Sequence, residues 1–313
     1  MKNSENNKLI YKILKYYYID DITQQEIAEK LNISRIKVIR LINYAKEQGL
    51  IEVKLNIPLK DSFELESHIE RKYSLHECRI VPSYNNENEI SKQASVELAD
   101  ILRRVLKKDV YLGVSWSQSV KSVLDYLNFS RKIDINVIPI IGGLELDGFS
   151  TNSNVIAHLF AEKLGGNSFS INVPAVLDSK EAKEIMENER LTKKMHELAD
   201  RIEVVITGVG NMDINGTAFK SGYFTSAERN YLNSLGIAGI VNLNFIDENG
   251  RSVKTEIDDR IVKIFPLERF KSIHNVIGIA FGQHKIKPLK AALKGGIIDY
   301  LVTDEDTAKG LII

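Results

Sequence analysis

From about residue 78 the chain alternates short apolar runs of β-type residues with longer amphipathic stretches, and this alternation restricts the fold more than any other feature. The runs are CRIVP, VYLGVS, INVIPIIGG, SFSINVPA, IEVVITGVG, IAGIVNLNFID, NVIGIAFG and YLVTDE. Helical spacing fills most of the intervals, at 88–107, 118–128, 152–164, 179–199, 225–234 and 287–294. Strand–helix alternation predicts a doubly wound α/β domain with a mostly parallel sheet. Runs apolar on both faces, such as VIPII, suit strands covered by helices on both sides.

The first fifty residues follow a different rule. Leu9, Ile13, Tyr16 and Tyr17 are spaced like one face of a helix over residues 8–20. Next comes TQQEIAEKLNISRIKVIRLINYAKEQGLI. Thr23 and Glu26 form a capping-box pair before a helix over about 24–31. Ser34 caps a second helix ending near Gln48, with Gly49 after it. Ala28 stands where two helices cross closely. Leu31, Ile33, Val38 and Leu41 stand at buried positions. Asn32 falls at the turn, where a positive φ suits Asn or Gly.

These positions agree with a helix-turn-helix; the plainer alternative is an ordinary helical hairpin. In the first geometry the second helix enters a major groove by its N-terminal end. Ser34, Arg35, Lys37, Ile39 and Arg40 are the residues expected to be exposed there, and Gln24 is placed for a phosphate. Arg and Lys suit guanine edges or phosphates, and Ile39 suits a thymine methyl. Each basic residue alone reads nearly as well as a solvated surface charge.

The whole chain has no net charge, so charge has to be read by segment. Residues 1–57 hold ten Lys/Arg against seven Asp/Glu, a net of +3. That is modest for a lone DNA binder and points to paired heads on one operator. After Gly49, LIEVKLNIP predicts a short strand ending at Pro58, the expected boundary between a 1–57 and a 58–313 domain. No apolar run reaches the roughly 18 residues of a membrane span. The N-terminal MKNSENNKL lacks a signal-peptide core, so a cytoplasmic protein is expected. Cys78 is the single cysteine and the six histidines are scattered. No metal site and no cofactor are expected.

Five apolar runs end in small or polar loops: GVSWSQS, IIGGLELDG, TGVGNMD, AFGQHK and LVTDEDT. In open α/β sheets ligands sit at the carboxyl ends of strands. In GVSWSQSV, Ser115, Ser117 and Ser119 offer hydroxyls, and backbone N–H groups of the following helix face an anion. No P-loop or dinucleotide motif is present, which leaves a compact anion such as a sugar phosphate. Lys285 can add a positive charge from another loop. Taken singly, each strand-ending glycine reads as a structural turn and Lys285 as a surface lysine.

The order of these segments resembles the SorC/DeoR-type sugar-responsive transcriptional regulators of bacteria over nearly the whole chain. The resemblance is carried by TQQEIAEKLNISRIKVIRLI, GVSWSQSV, IIGG, ADRIEVVITGVG, SGYFTSAE, GIAGIVNLNFIDENG, DDRIV and IAFGQHKIKPLKAALKGGIIDYLVTDEDTA. It implies an effector domain similar to sugar-phosphate isomerases, a homo-oligomer (dimer or tetramer), and control of an operon through operator DNA and a phosphorylated sugar. By position it implies that Ser115, Ser117, Gln118, Ser119, Gly142, Gly143, Gly208, Gly210, Gln283 and Lys285 line the effector pocket.

The chain departs from the family at several places. Ser117 stands where relatives carry Gly. Ile240 replaces an aspartate able to bind sugar hydroxyls. AFGQHK is bulkier than the family's loop, with Phe281 before Gly282. Ile141 precedes Gly142, so no lysine there can form an imine with an aldehyde sugar. A regulator that has lost its ligand is one reading of these departures. An isomerase-like enzyme is another, with Asp147, Asp213, Glu256 or Asp304 as its base.

Overall fold

A computed structural model describes residues 2–51, 60–130, 132–143, 152–213, 216–220 and 222–313, without the side chains of residues 2–6, 60, 61 and 217. Pro58, most of the strand expected after Gly49, and Asp147 lie outside the described residues. The chain divides into two compact units, Met1–Lys60 and Asp61–Ile313.

The first unit contains α1 (Lys2–Tyr18), α2 (Gln24–Lys30) and α3 (Arg35–Glu47). Thr23 and Glu26 complete the capping box: Thr23 N donates to Glu26 Oε2 at 3.0 Å, and Glu26 N donates to Thr23 Oγ1 at 3.3 Å. Ser34 Oγ accepts from Lys37 N at 3.2 Å and starts α3. Asn32 adopts φ 52° at the turn, and Gly49 φ 65° after α3. Ile27, Ala28, Val38, Leu41, Ile42 and Ala45 bury against Ile10 and Ile13 of α1, with Leu31 and Ile33 half-buried at the rim.

The second unit runs α4 (Lys60–Tyr73), β1 (Glu77–Val81), α5 (Glu87–Val105), β2 (Tyr111–Val114), α6 (Gln118–Tyr126), β3 (Ile135–Pro139), α7 (Ser153–Leu164), β4 (Gly166–Ser168), α8 (Lys180–Asn188), α9 (Arg190–Ala199) and β5 (Ile202–Gly208). It continues with α10 (Thr217–Lys220), α11 (Ser226–Ser234), β6 (Gly239–Val241), β7 (Asn244–Ile246), α12 (Leu267–Phe270), β8 (Val276–Ile279), α13 (Ile286–Lys294), β9 (Tyr300–Asp304) and α14 (Glu305–Ile312). Seven strands form one sheet in the order β1-β9-β8-β5-β2-β3-β4, and every described pairing in it is parallel. Val204 and Ile206 of β5 pack with Leu98 of α5, Leu124 of α6 and Phe160 of α7. Val205 packs on the other face with Ala199 of α9, Phe270 of α12, Leu289 of α13 and Leu311 of α14. Both faces are covered, which explains why the strands read as unbroken apolar runs.

The edge strand β1 is closed by side chains. Glu70 Oε1 accepts from Cys78 N and Glu66 Oε1 from Ile80 N, each at 2.8 Å. These bonds occupy N–H groups that a bare edge would offer to another chain.

Three elements differ from the sequence expectation. The run IAGIVNLNFID leaves the sheet and folds as an antiparallel hairpin, β6–β7. Its reversal is a two-residue turn with Asn242 at φ 50° and Leu243 at φ 56°. The stretch 179–199 breaks at Glu189, which is extended at φ −60°, ψ 140°. There the Asn188 side-chain amide donates to Glu184 O at 2.8 Å and competes with helix continuation. The run SFSINVPA leaves the sheet at Ser168. Beyond it, Ile171 N donates to Asn154 Oδ1 at 2.9 Å, and Val173 O accepts from Gly143 N at 3.0 Å.

Asn242 pins the hairpin tip to the strand ends. Its Nδ2 donates to Ile140 O at 3.0 Å and to Phe265 O at 3.3 Å, while its Oδ1 accepts from Ser115 Oγ at 2.9 Å. All three contacts are buried, so removing the amide strands their partners. Asn242→Ala is expected to destabilise the protein by about 1–3 kcal/mol, read as a lower urea midpoint at unchanged slope. An unchanged midpoint would show that the tip is held by its apolar neighbours alone.

Candidate functional site

In the first unit, the buried residues Val38, Leu41, Ile42 and Ala45 recur at helical spacing and turn the opposite face of α3 outward. Ser34, Arg35, Ile36, Lys37 and Arg40 are exposed on its first turns, and Asn43 and Tyr44 continue that face. Ile39 is corrected: it is half-buried, because it lies beside the Val38–Ile42 stripe. Ile36, at 78% exposure, is the apolar side chain presented to solvent there. The buried spacing itself could have identified it. Gln24, at the start of α2, is half-buried.

In the second unit, the strand order reverses between the neighbouring strands β2 and β5. Loops diverge at such a point and leave a crevice at the carboxyl ends of the strands. A cavity of about 580 Å³ lies there. The segment after β2 contributes Trp116, Ser117, Gln118, Ser119 and Ser122; the segment after β5 contributes Gly208, Val209, Gly210, Asn211 and Asp213. The hairpin supplies Ile240, Asn242 and Leu243, and the segment after β8 supplies Phe281, His284 and Lys285. Glu87, Asn88 and Ser91 of α5, and Lys220 of α10, complete much of the rest.

The loop Ser115–Ser119 has two functions. Ser115 does not line the cavity; it is buried and donates to Asn242. Ser117 caps α6 by accepting from Val120 N at 3.5 Å. Its side chain fills the space beside Gly208, where an added Cβ would stand 2.6 Å from Ser117 Cβ. Ser117 in place of glycine is therefore accommodated by the missing side chain on the adjacent strand. Gln118 and Ser119 are the first two residues of α6, and no acid occupies that turn.

Lys285 Nζ donates to Val209 O at 2.9 Å. Burial pushes its ammonium below the usual lysine range, against the pull of Glu87 and Asp213. Burial, and after it Lys285, likewise lowers the neighbouring His284. An anion entering the cavity would add to the pull of Glu87 and Asp213 and favour the charged ammonium.

Gly142, Gly143 and Gln283 stand apart from the cavity lining. Gly142 is needed for close packing, since a Cβ there would lie 2.7 Å from Ala175 N. Gly143 O accepts from Tyr223 Oη at 2.8 Å. Gln283 is exposed and outside the lining. Of the candidate bases, Asp213 lines the cavity and Glu256 lies in a 3-10 turn, Glu256–Arg260. Asp304 is buried, accepting from Gly282 N and Ser83 Oγ, each at 3.0 Å. Asp304 is thus tied into the packing of two loops. The α5 and α10 residues carry no strand-end signal in the sequence, because they lie on helices and not on loops that directly follow apolar runs.

Comparison with known proteins adds family and fold. Residues 57–313 match the Sugar-bind family, described as "Putative sugar-binding domain", and residues 11–48 match Sigma-70, region 4. The chain is 29% identical over 316 residues to the sorbitol operon regulator of Klebsiella pneumoniae, covering 100% of both. It is 28% identical over 312 residues to the deoxyribonucleoside regulator of Bacillus subtilis, covering 98% of each. The crystal structure of the full-length sorbitol operon regulator SorC from Klebsiella pneumoniae superposes with a TM-score of 0.76 at 28% identity over 98% of each chain. A DeoR family transcriptional regulator from Listeria monocytogenes superposes with a TM-score of 0.72 at 26% identity, covering 80% of this chain and 98% of that one. With a family match over most of its length, the chain belongs to the SorC/DeoR-type bacterial transcriptional regulators, which join a helix-turn-helix to a sugar-binding domain.

Proposed function

We propose that residues 1–57 bind operator DNA of a carbohydrate-utilisation operon and that residues 58–313 bind a phosphorylated sugar that controls this binding. One observation carries the effector assignment: the acid-free first turn of α6 and the half-buried Lys285 line the same cavity. Helix N–H groups, serine hydroxyls and a desolvated ammonium together favour a compact dianion. The names of the relatives, regulators of sorbitol and deoxyribonucleoside genes, agree with a carbohydrate signal. A ligand that prefers one quaternary arrangement shifts the population that fits the operator.

The groove contact is made by Arg35, Lys37 and Arg40, with Ile36 against a thymine methyl. Ser34 and Gln24 serve the backbone. Arg40→Ala is expected to weaken operator binding by about 1–3 kcal/mol at physiological salt. Ile36→Ala should relax preference at one base pair without changing the salt dependence. Unchanged affinity and preference in retardation assays would remove α3 from the groove.

A single head with a net charge of +3 gains affinity by pairing on a two-fold operator. Sedimentation should show a species heavier than the 35.4 kDa chain. A monomer at micromolar concentration that still binds operator tightly would contradict paired heads.

Thermal-shift screening of sugar phosphates should find a ligand that, at 100 times its Kd, adds roughly 2.7 kcal/mol of stability. Lys285→Ala should weaken that ester far more than its unphosphorylated parent. Ser119→Glu should abolish the response to the ligand while DNA binding persists. Equal loss for ester and parent would place the phosphate away from Lys285.

A further inference from the structure

A second helix N-terminus reaches the same cavity, and its chemistry is opposite to that of α6. Glu87, Asn88 and Ser91 of α5 line this wall. Glu87 and Glu89 sit in the first turn of α5, whereas the first turn of α6 has no acid. An acidic first turn already complements the helix dipole and repels a second anion. What it accepts is a hydrogen-bond donor.

Ser91 supplies an independent observation. It is 1% exposed, and its Oγ has no hydrogen-bond partner among the described residues. Ser95, one turn further along α5 and also buried, donates to Lys92 O at 2.7 Å. The two serines share a helix and a buried setting, yet only the one lining the cavity is unpaired. A buried hydroxyl without a partner carries an uncompensated desolvation cost. Ser91 also lies four residues after Glu87, so the two are neighbours on one helix face. Of the hairpin residues in the lining, Ile240 and Leu243 are apolar and the Asn242 amide is already engaged.

We propose that Glu87, Asn88 and Ser91 form a hydroxyl-recognition wall that orients the effector. The phosphate lies at α6 and Lys285, and the hydroxylated end of the carbon chain lies at α5. The ligand class is a sugar or polyol phosphate with free hydroxyls remote from the phosphate. This inference rests on the phosphate reading of α6 and Lys285.

Isothermal titration of the full chain tests it, using inorganic phosphate and a panel of three- to six-carbon polyol and aldose phosphates. In the wild-type protein the best ester binds more tightly than inorganic phosphate. Glu87→Gln and Ser91→Ala each weaken that ester by about tenfold, equivalent to about 1.4 kcal/mol; Ser91→Ala moves inorganic phosphate by less than about twofold, within about 0.4 kcal/mol, and Glu87→Gln, which removes a negative charge acting on Lys285, does not weaken it. Ser91→Ala also leaves the ligand-free melting temperature unchanged or raised, because it removes an unpaired hydroxyl. Equal weakening of ester and inorganic phosphate overturns the wall, as does an unchanged ester affinity. A lower melting temperature with unchanged ester affinity also overturns it and makes Ser91 a packing residue. Wild-type protein that binds neither inorganic phosphate nor any ester overturns the phosphate reading beneath it, a result separate from the variant comparisons.

Discussion

The buried amide of Asn242 is the contact on which the sensing unit depends. The carboxyl ends of β2 and β3 carry backbone and hydroxyl groups that the sheet no longer satisfies. Asn242 reaches Ile140 O, Phe265 O and Ser115 Oγ at once. It can do so because the hairpin tip turns through two consecutive left-handed residues, a conformation that is tolerable for Asn and costly for Leu243. The same tip forms part of the cavity lining, and Ile240 of β6 pairs with Gly210 through two backbone bonds of 2.8 and 2.9 Å. The loops after β2, β3 and β5 are therefore fastened to one hairpin. A ligand that moved any of them would act on all.

Steric exchange and charge shape the rest of the cavity. Ser117 fits because Gly208 on the neighbouring strand has no side chain. Its hydroxyl is occupied in capping α6, so the anion-facing character of that end comes from the helix turn and the groups beside it. Lys285 is half-buried and donates to a carbonyl, and desolvation lowers its ammonium. From α5, Glu87 brings a carboxylate to the same cavity. The two helix N-termini thus differ in charge, acid-free at α6 and acidic at α5.

The DNA-reading unit is organised by local rules. Thr23, Glu26, Ser34, Asn32 and Gly49 each satisfy a helix end or a turn within a few residues. Its core then needs one apolar stripe per helix. Such a unit is stable in shape because its caps and its stripe specify the same geometry.

The sequence by itself determined the two helices of the reading head, their caps, the positive φ at Asn32, and the parallel sheet covered on both faces. Each follows from spacing or from residue conformational preference, which act over a few positions. The convergence of GVSWSQS, TGVGNMD and AFGQHK was legible for the same reason, since parallel strands all end on one side. Only the tertiary structure decided that IAGIVNLNFID is a hairpin, because an apolar run buried in a side cluster reads like one buried in a sheet. It also decided that Ser115, Gly142 and Gly143 pack while Glu87, Asn88 and Ser91 face the cavity. That choice depends on α5 lying against α6, a contact between segments about thirty residues apart in the chain, and periodicity carries no information over that distance.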